Sequence, residues 1–156
     1  KVGVFVDCII QDMIQKAEQF NLDYIQLHGA EDVDTAKELY LQGFKVIKVF
    51  HIENELEHQK MVDFTPFCNY FLFDTKGVNE GGNGIKFNWS LLDNYQLSIP
   101  FLLSGGIAPD DVEFIKAIQH PFFAGVDINS RFETKPGLKN ITGLKIFIDE
   151  IRNKPV

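Results

Sequence analysis

Two short apolar runs that end in small or polar residues decide the fold: FLLSGG at Phe101 to Gly106 and FFAGVDINSR at Phe122 to Arg131. A buried strand that stops on Gly-Gly or Asn-Ser and continues into a helix presents backbone N–H groups to an anion. In parallel (β/α) barrels, the last two strand-to-helix loops usually form such a phosphate site. These two stretches therefore predict a phosphate-binding barrel.

Outward from these stretches, short apolar runs alternate with segments of helical spacing. The apolar runs are Val2 to Val6, Tyr24 to Leu27, Lys45 to Phe50, Tyr70 to Phe73, Phe101 to Leu103 and Phe123 to Ile128. The helical segments are Ile9 to Gln19, Val33 to Leu41, Glu53 to Val62, Ser90 to Asn94, Asp110 to Ile118 and Gly143 to Ile151. Continuous apolar runs are typical of strands buried on both faces. Their alternation with helices predicts a parallel sheet with right-handed crossovers.

An open, doubly wound sheet is the alternative to a barrel. That fold tends to place its phosphate loop after the first strand, whereas the first loop here, Asp7 to Ile10, contains no glycine. The glycines that could hold a phosphate come late in the chain, which favours the barrel. The chain also opens directly on an apolar run without a preceding turn, and we interpret it as part of a longer protein.

Composition and charge exclude several classes of function. The 156 residues, of which 45% are hydrophobic, suffice for one domain with a substantial core. A net charge of −7 with scattered lysines argues against a nucleic-acid partner. No apolar run approaches the ~20 residues that span a bilayer. Cys8 and Cys68 suggest neither a disulfide framework nor a metal cluster, so we expect a cytoplasmic protein without a membrane partner.

Chemistry-bearing residues follow the predicted strands, whose carboxyl ends meet at one mouth of a barrel. We expect Asp74 to be the acid–base group, because a carboxylic acid at the apolar end of a strand loses hydration and can exchange protons. The alternative is that Asp74 caps the loop that follows it. In that loop, Gly81 and Gly82 form either a covering segment or a merely flexible connection.

The later strand ends carry the candidate phosphate ligands. Gly105 and Gly106 would bind through their backbone, and Asn129 and Ser130 through backbone and side chain. Asp127 could accept a hydrogen bond from a substrate hydroxyl or cap its own loop. Two further strand-end residues, His28 and His51, could be acid–base groups, but we interpret both as structural.

Five stretches, taken together and in order, resemble the phosphoribosylanthranilate isomerase family. They are VGVFV at Val2 to Val6, IQLHG at Ile25 to Gly29, FDTKGVNEGGNGIKFNW at Phe73 to Trp89, LSGGIAPDDV at Leu103 to Val112 and GVDINSRFETKPGLKN at Gly125 to Asn140. The resemblance runs through the whole chain. It implies a (β/α)8 TIM barrel of tryptophan biosynthesis.

The reaction implied by this resemblance is an Amadori rearrangement. It converts N-(5-phosphoribosyl)anthranilate to 1-(2-carboxyphenylamino)-1-deoxyribulose 5-phosphate without a cofactor or a metal. By position, Asp74 would be the general acid that opens the ribose ring, and a cysteine in a Lys-x-Cys-Gly motif would be the general base. Gly105, Gly106, Asn129 and Ser130 would hold the phosphate, Asp127 would orient the ribose or anthranilate part, and the loop of Gly81 and Gly82 would help to cover the site.

The chain departs from the family pattern in two places. The Lys-x-Cys-Gly motif is absent, and neither Cys8 nor Cys68 stands at its place. We therefore expect residues 1–156 to form one barrel domain with about six units, strands 3 to 8, and to be inactive alone. The family's Ser-Ser-Gly after the last Asp is replaced by Asn129-Ser130-Arg131.

Rival functions remain open from the sequence. Other sugar-phosphate barrel enzymes, such as indole-glycerol-phosphate synthase, would be expected to show a lysine at a strand end, and the one candidate, Lys48, lies inside its predicted strand. A barrel that binds phosphorylated ligands without catalysis is the other class. Relatives with this fold occur as monomers, dimers or fusions, so a homodimer is among the allowed states.

Overall fold

Six parallel strands form the centre of the protein, whose computed structural model describes residues 1–75 and 86–153. The strands are β1 (Val2–Phe5), β2 (Tyr24–Leu27), β3 (Val46–Ile52), β4 (Tyr70–Thr75), β5 (Phe101–Leu103) and β6 (Phe123–Val126). They pair in chain order, each with its sequence neighbour. This order, with a helical segment after each strand, is that of consecutive units of a (β/α)8 barrel and confirms the predicted fold class.

The helices lie between the strands and after the last one. They are α1 (Ile10–Phe20), α2 (Val33–Leu41), α3 (His58–Val62), α4 (Val112–Lys116) and α5 (Ile141–Arg152), with 3-10 turns at Trp89–Asn94, Pro109–Asp111 and Ser130–Phe132. Local chemistry sets their ends. Asn21, with a φ of 47°, ends α1 in the left-handed conformation, and the Asp32 carboxylate accepts a hydrogen bond of 2.9 Å from the Thr35 N–H at the start of α2.

The sheet has two different faces. Its outer face packs under the helices in one large apolar cluster that includes Leu27, Phe71, Phe73 and Phe101. Its inner face carries a small cluster of Ile47, Val49 and Leu72, against which Tyr24, Tyr70 and Leu102 pack. Because side chains alternate along a strand, His51 lies on the inner face with Ile47 and Val49, whereas Lys48 lies on the outer face.

Several elements differ from the sequence predictions. Of the predicted helix from Glu53 to Val62, only His58–Val62 is helical. β3 and β4 run two residues further than their apolar runs, so His51 and Asp74 lie within paired strands rather than after them. A polar residue ends an apolar run in the sequence, but backbone pairing continues through it.

Two further differences lie at the ends of the described sheet. β1 was expected to be buried on both faces, yet Val2, Val4 and Val6 are 47%, 57% and 45% exposed. β1 pairs with β2 alone within the described part of the chain. After β6, a small antiparallel hairpin that the sequence did not predict pairs β7 (Glu133–Lys135) with β8 (Leu138–Lys139).

The last helix begins earlier than predicted, at Ile141, because the Asn140 side chain accepts a hydrogen bond of 3.0 Å from the Gly143 N–H. Its buried face is centred on Phe147, while Ile148 is 37% exposed. Within residues 1–75 and 86–153, no helix is long and apolar enough to cross a membrane.

Candidate active site

A cavity of about 320 Å³ opens at the carboxyl ends of the strands. It is lined by His28, Asp74, Ser104, Gly105, Gly106, Ile107, Asp127, Asn129, Ser130 and Arg131. All of the predicted site residues that the structure describes therefore lie around one cavity. Gly81 and Gly82, predicted to help cover the site, lie outside the described residues. Their role stays a prediction.

Gly105 brings the end of β5 against the end of β4. Its φ is +87°, and a Cβ at this position would lie 2.4 Å from Thr75 Oγ1, 2.6 Å from Thr75 N and 2.8 Å from Asp74 Oδ1. Only glycine tolerates both this backbone conformation and this distance. The Gly-Gly sequence that suggested a phosphate loop thus also sets the separation between that loop and Asp74.

Asp74 lies on the inner face of β4, one residue before the strand ends, with its side chain 17% exposed. One carboxylate oxygen, Oδ1, accepts a hydrogen bond of 2.8 Å from the Thr75 N–H. The other, Oδ2, lies 3.6 Å from His28 Nε2 at the cavity wall. The two sequence-based interpretations are therefore compatible, because one oxygen caps the chain while the other faces the cavity.

Asp127 follows β6 and lines the same cavity as Asp74. Its backbone N–H donates to the Leu103 carbonyl at 2.8 Å, and its Oδ2 lies 3.4 Å from Ser104 Oγ. Burial raises the pKa of Asp127, and the nearby Asp74 carboxylate raises it further, while the Ser104 hydroxyl opposes the shift. Two carboxyl groups thus share this side of the cavity.

Backbone amides and the Arg131 side chain also line the cavity. Gly105 and Gly106 have positive φ angles of 87° and 67°, and Asn129 precedes the 3-10 turn that contains Ser130 and Arg131. Behind Asn129, Lys139 of the unpredicted hairpin forms a hydrogen bond with Asn129 Oδ1 and an ion pair of 2.7 Å with Glu133. The sequence patterns had given Lys139 no role. The amides and the Arg131 cation suit an anion.

The loop after β2 is fixed by a buried ionic network on the outer face. Lys48 Nζ donates to Glu31 Oε2 at 3.0 Å and to the Gly29 carbonyl at 2.7 Å. Glu31 Oε1 also accepts from the Asp7 N–H at 2.9 Å, and Asp7 Oδ1 accepts from the Ala30 N–H at 2.7 Å. Gly29 is packed so closely that a Cβ there would lie 2.4 Å from Asp7 Oδ1.

This network explains Lys48, which the sequence left as a catalytic candidate for rival barrels. Its side chain is 6% exposed and is neutralised by Glu31, itself 3% exposed. Lys48 is not among the residues that line the cavity. The sequence signal was present, since a lysine within an apolar strand calls for a buried acidic partner, but the sequence did not identify Glu31 as that partner.

His28 and His51 were interpreted as structural, and their contacts place both beside Asp74. Their rings meet edge to face with centroids 5.3 Å apart. His28 Nδ1 lies 3.0 Å from Gln26 Nε2, and His51 Nε2 lies 3.2 Å from the His28 carbonyl oxygen. Burial lowers the pKa of His28, an effect that Asp74 partly opposes. The surroundings of His28 therefore disfavour its charged form.

Neither cysteine reaches the cavity. Cys68 is buried in the outer apolar cluster, and burial raises the pKa of its thiol to about 12. Cys8 is partly buried at the start of α1. Both positions agree with the sequence interpretation of these residues as ordinary small side chains.

A second cavity, of about 460 Å³, lies between the 3-10 turn Trp89–Asn94 and α4. It is mostly apolar and includes Trp89 and Phe114, with the Lys86–Asp111 ion pair of 2.6 Å at its wall. None of the strand-end residues lines it. Although this cavity is larger than the first, its Lys86 and Asp111 neutralise each other and none of the predicted site residues lines it, so we assign the candidate site to the strand ends.

Comparison with known proteins agrees with this geometry. The profile of the family described as PRAI, N-(5'phosphoribosyl)anthranilate (PRA) isomerase, matches residues 1–150. An N-(5'-phosphoribosyl)anthranilate isomerase of Parabacteroides distasonis is 46% identical over 156 residues, which are all of this chain and 71% of the relative.

Two solved structures extend the comparison to the fold. Phosphoribosyl anthranilate isomerase from Thermotoga maritima superposes with a TM-score of 0.80 at 31% identity, covering 97% of this chain and 72% of that one. A phosphoribosyl anthranilate isomerase in complex with reduced 1-(o-carboxyphenylamino)-1-deoxyribulose 5-phosphate superposes with a TM-score of 0.76 at 28% identity, covering 97% and 70% of the two chains.

Proposed function

The chain belongs to the N-(5'-phosphoribosyl)anthranilate isomerase family, and we propose that the strand-end cavity binds the phosphorylated substrate with Asp74 as its general acid. As a member of this family, the chain is an isomerase of tryptophan biosynthesis. The reaction converts an aminoaldose into an aminoketose by a net shift of hydrogen from C2 to C1 of the sugar. It needs a proton donor at the ring oxygen and a base at C2.

The observation that carries the proposal is that two chemically different sets of groups line one cavity. Gly105, Gly106 and the segment from Asn129 to Arg131 offer amides and positive charge, and we call them the phosphate end. Asp74 and Asp127 offer carboxyl groups, and we call them the carboxyl end. A sugar phosphate laid across the cavity would bind its anionic group at the first end and present its ribose to the carboxyl groups at the second.

Asp74 is suited to the role of acid by its placement. Asp74 lines the cavity, the Thr75 N–H holds its Oδ1 by a hydrogen bond of 2.8 Å, and its Oδ2 lies 3.6 Å from His28 Nε2. Transfer of its proton to the ribose ring oxygen would break the C1–O bond and leave a protonated Schiff base between C1 and the anthranilate nitrogen. Removal of the C2 proton would then give the enolamine, which tautomerises to the ketone.

Asp127 would orient the substrate. Its carboxyl group can form a hydrogen bond with a substrate hydroxyl, and burial, which raises the pKa of Asp127, makes its protonation easier than that of an exposed aspartate. This role follows from its position between Ser104 and the cavity.

No thiol among the described residues lines the cavity, so the general base implied by the family resemblance is not assigned to Cys8 or Cys68. Inactivity of the chain in isolation stays a prediction, as does the single-domain arrangement of residues 1–156.

Isomerisation of freshly generated phosphoribosylanthranilate, followed by the decay of its fluorescence, tests the proposal. The assay uses the chain extended upstream by a segment with the Lys-x-Cys-Gly motif. Asp74→Asn is expected to lower kcat by about 10²–10⁴-fold, the usual contribution of a positioned acid, with ligand affinity unchanged. Asp149→Asn, a matched change on the exposed surface of α5, is expected to leave kcat unchanged. Full activity of the Asp74 variant would refute the role of Asp74.

A barrel that only binds phosphorylated ligands is the second candidate function. It would bind the sugar phosphate but leave the extended protein inactive. The enclosure of Lys48 by Glu31 and Gly29 argues against lysine-based chemistry of the rival barrel enzymes. The homodimer allowed by the resemblance is tested by the mass of the particle in solution.

A further inference from the structure

Three potential metal ligands meet on the inner face of the sheet at the ends of successive strands. His51 and Asp74 are register partners on β3 and β4, and His28 follows β2. One ligand atom from each side chain lies within 4.8 Å of the other two. The nearest measured pair, His28 Nε2 and Asp74 Oδ2, is separated by 3.6 Å.

These distances suit a tetrahedral cation after a small contraction. Zn²⁺ bonds of 2.0–2.1 Å place ligand atoms about 3.3–3.5 Å apart. The His28–Asp74 separation of 3.6 Å is already close to this value, and closure of the remaining distances requires side-chain movements of roughly 1 Å. Two imidazoles and one carboxylate also form a donor set that Zn²⁺ accepts with an open fourth position.

The outer contacts of both rings favour metal binding. His51 Nε2 can donate its proton to the His28 carbonyl oxygen 3.2 Å away, which leaves His51 Nδ1 as the lone-pair donor. Gln26 Nε2 lies 3.0 Å from His28 Nδ1. A 180° rotation of this amide brings Gln26 Oε1 to the same place, where it accepts from an Nδ1–H and leaves His28 Nε2, 3.6 Å from Asp74 Oδ2, free to bind a cation. Such hydrogen bonds to the second nitrogen are the usual support of a metal-binding histidine.

We propose that His28, His51 and Asp74 form a site for Zn²⁺ or the chemically similar Co²⁺, and that the bound ion inhibits the isomerase. The second part rests on the proposed function, because inhibition follows from Asp74 being occupied as a ligand and unable to donate its proton. The ion is thus an inhibitor and has no part in the rearrangement. A purely structural role of the two histidines would give no dependence on metal.

Direct binding tests the site independently of activity. Titration calorimetry of the untagged chain with Zn²⁺, together with the visible absorption of Co²⁺, is expected to show one ion per chain in tetrahedral coordination. His51→Gln is expected to weaken binding by at least about tenfold, since even outer-shell changes at metal sites cost 10–100-fold. His51→Cys, which restores a ligand, is expected to recover it.

His58→Gln is the matched control, because His58 stacks on Tyr95 away from this cluster and its loss is expected to leave metal affinity unchanged. Circular dichroism verifies folding of each variant. Absence of stoichiometric binding, or equal affinity in the His51→Gln variant, would overturn the site.

Inhibition is measured in the upstream-extended protein that the isomerase assay uses. Zn²⁺ is expected to suppress turnover of the parent and to have at least about tenfold less effect on the His51→Gln variant. Stoichiometric binding without inhibition would overturn the second part of the proposal alone. Failure of the isomerase assay itself would refute the proposed function, while calorimetry would still decide the metal site.

Discussion

The two ends of the cavity are built in different ways. In the proposed site, the phosphate end would bind through backbone amides of consecutive residues, in Gly105-Gly106 and Asn129-Ser130. The carboxyl end depends on side chains from several strands, with Asp74 set between Thr75 and His28. One end is therefore local in sequence, and the other depends on long-range contacts.

This difference determines where each end is vulnerable. A backbone site is damaged by an added side chain that changes the path of its loop, because the binding groups are main-chain amides. A side-chain site is damaged by loss of the ligand itself or of the buried contacts that hold its strands and loops. Substitutions in the two regions should therefore separate affinity, chemistry and stability.

The largest loss of stability is expected at the network beneath the carboxyl end. Lys48→Met leaves the Glu31 carboxylate buried without its cation and should lower the free energy of unfolding by about 3–5 kcal/mol, measured by urea denaturation. The double variant Lys48→Met/Glu31→Gln should recover much of this loss, because the charge is removed while an acceptor for the Asp7 N–H remains. A loss below about 1 kcal/mol in the single variant, the range of exposed ion pairs, would contradict a buried network.

A smaller loss of stability is expected at Gly105, where the phosphate end lies against Asp74. Gly105→Ala and Gly43→Ala change glycines with nearly the same φ, +87° and +88°, but only Gly105 has atoms within 4 Å of the added Cβ. Strain alone should cost Gly43→Ala about 1–2 kcal/mol. Gly105→Ala should cost about 1–3 kcal/mol more because of its clash with Thr75. Equal melting temperatures of the two variants would show that the close approach of β5 to β4 does not affect stability.

The same division explains what the sequence could predict. The strands, their parallel order and the glycine loops follow from local patterns, and the structure confirms the fold class and brings Asp74, Asp127 and the loop residues around one cavity. Conformational signals such as Asn21 after α1 were also local. The identity of the substrate came only from the resemblance to the family, because hydrophobic periodicity carries no information about substrates.

The remaining features depend on contacts between distant residues. Glu31 was not recognised as the partner of Lys48, which is 17 positions away in the chain. Lys139 reaches Asn129 through a hairpin too short to give a strand pattern. The approach of His51 to Asp74 depends on strand register, and β3 continues two residues past its apolar run. Each of these contacts forms only after the chain has folded, so local sequence patterns do not reveal it.

Ligand affinity in two single-charge variants tests most directly whether the phosphate end supplies binding while Asp74 supplies the chemistry. Reduced 1-(o-carboxyphenylamino)-1-deoxyribulose 5-phosphate is titrated calorimetrically into Ser130→Asp and Asp74→Asn. A negative charge at Ser130, on the phosphate end, is expected to weaken binding by at least about tenfold, while Asp74→Asn is expected to bind as the parent does. Parent-like binding by Ser130→Asp together with a large loss in Asp74→Asn would contradict the account.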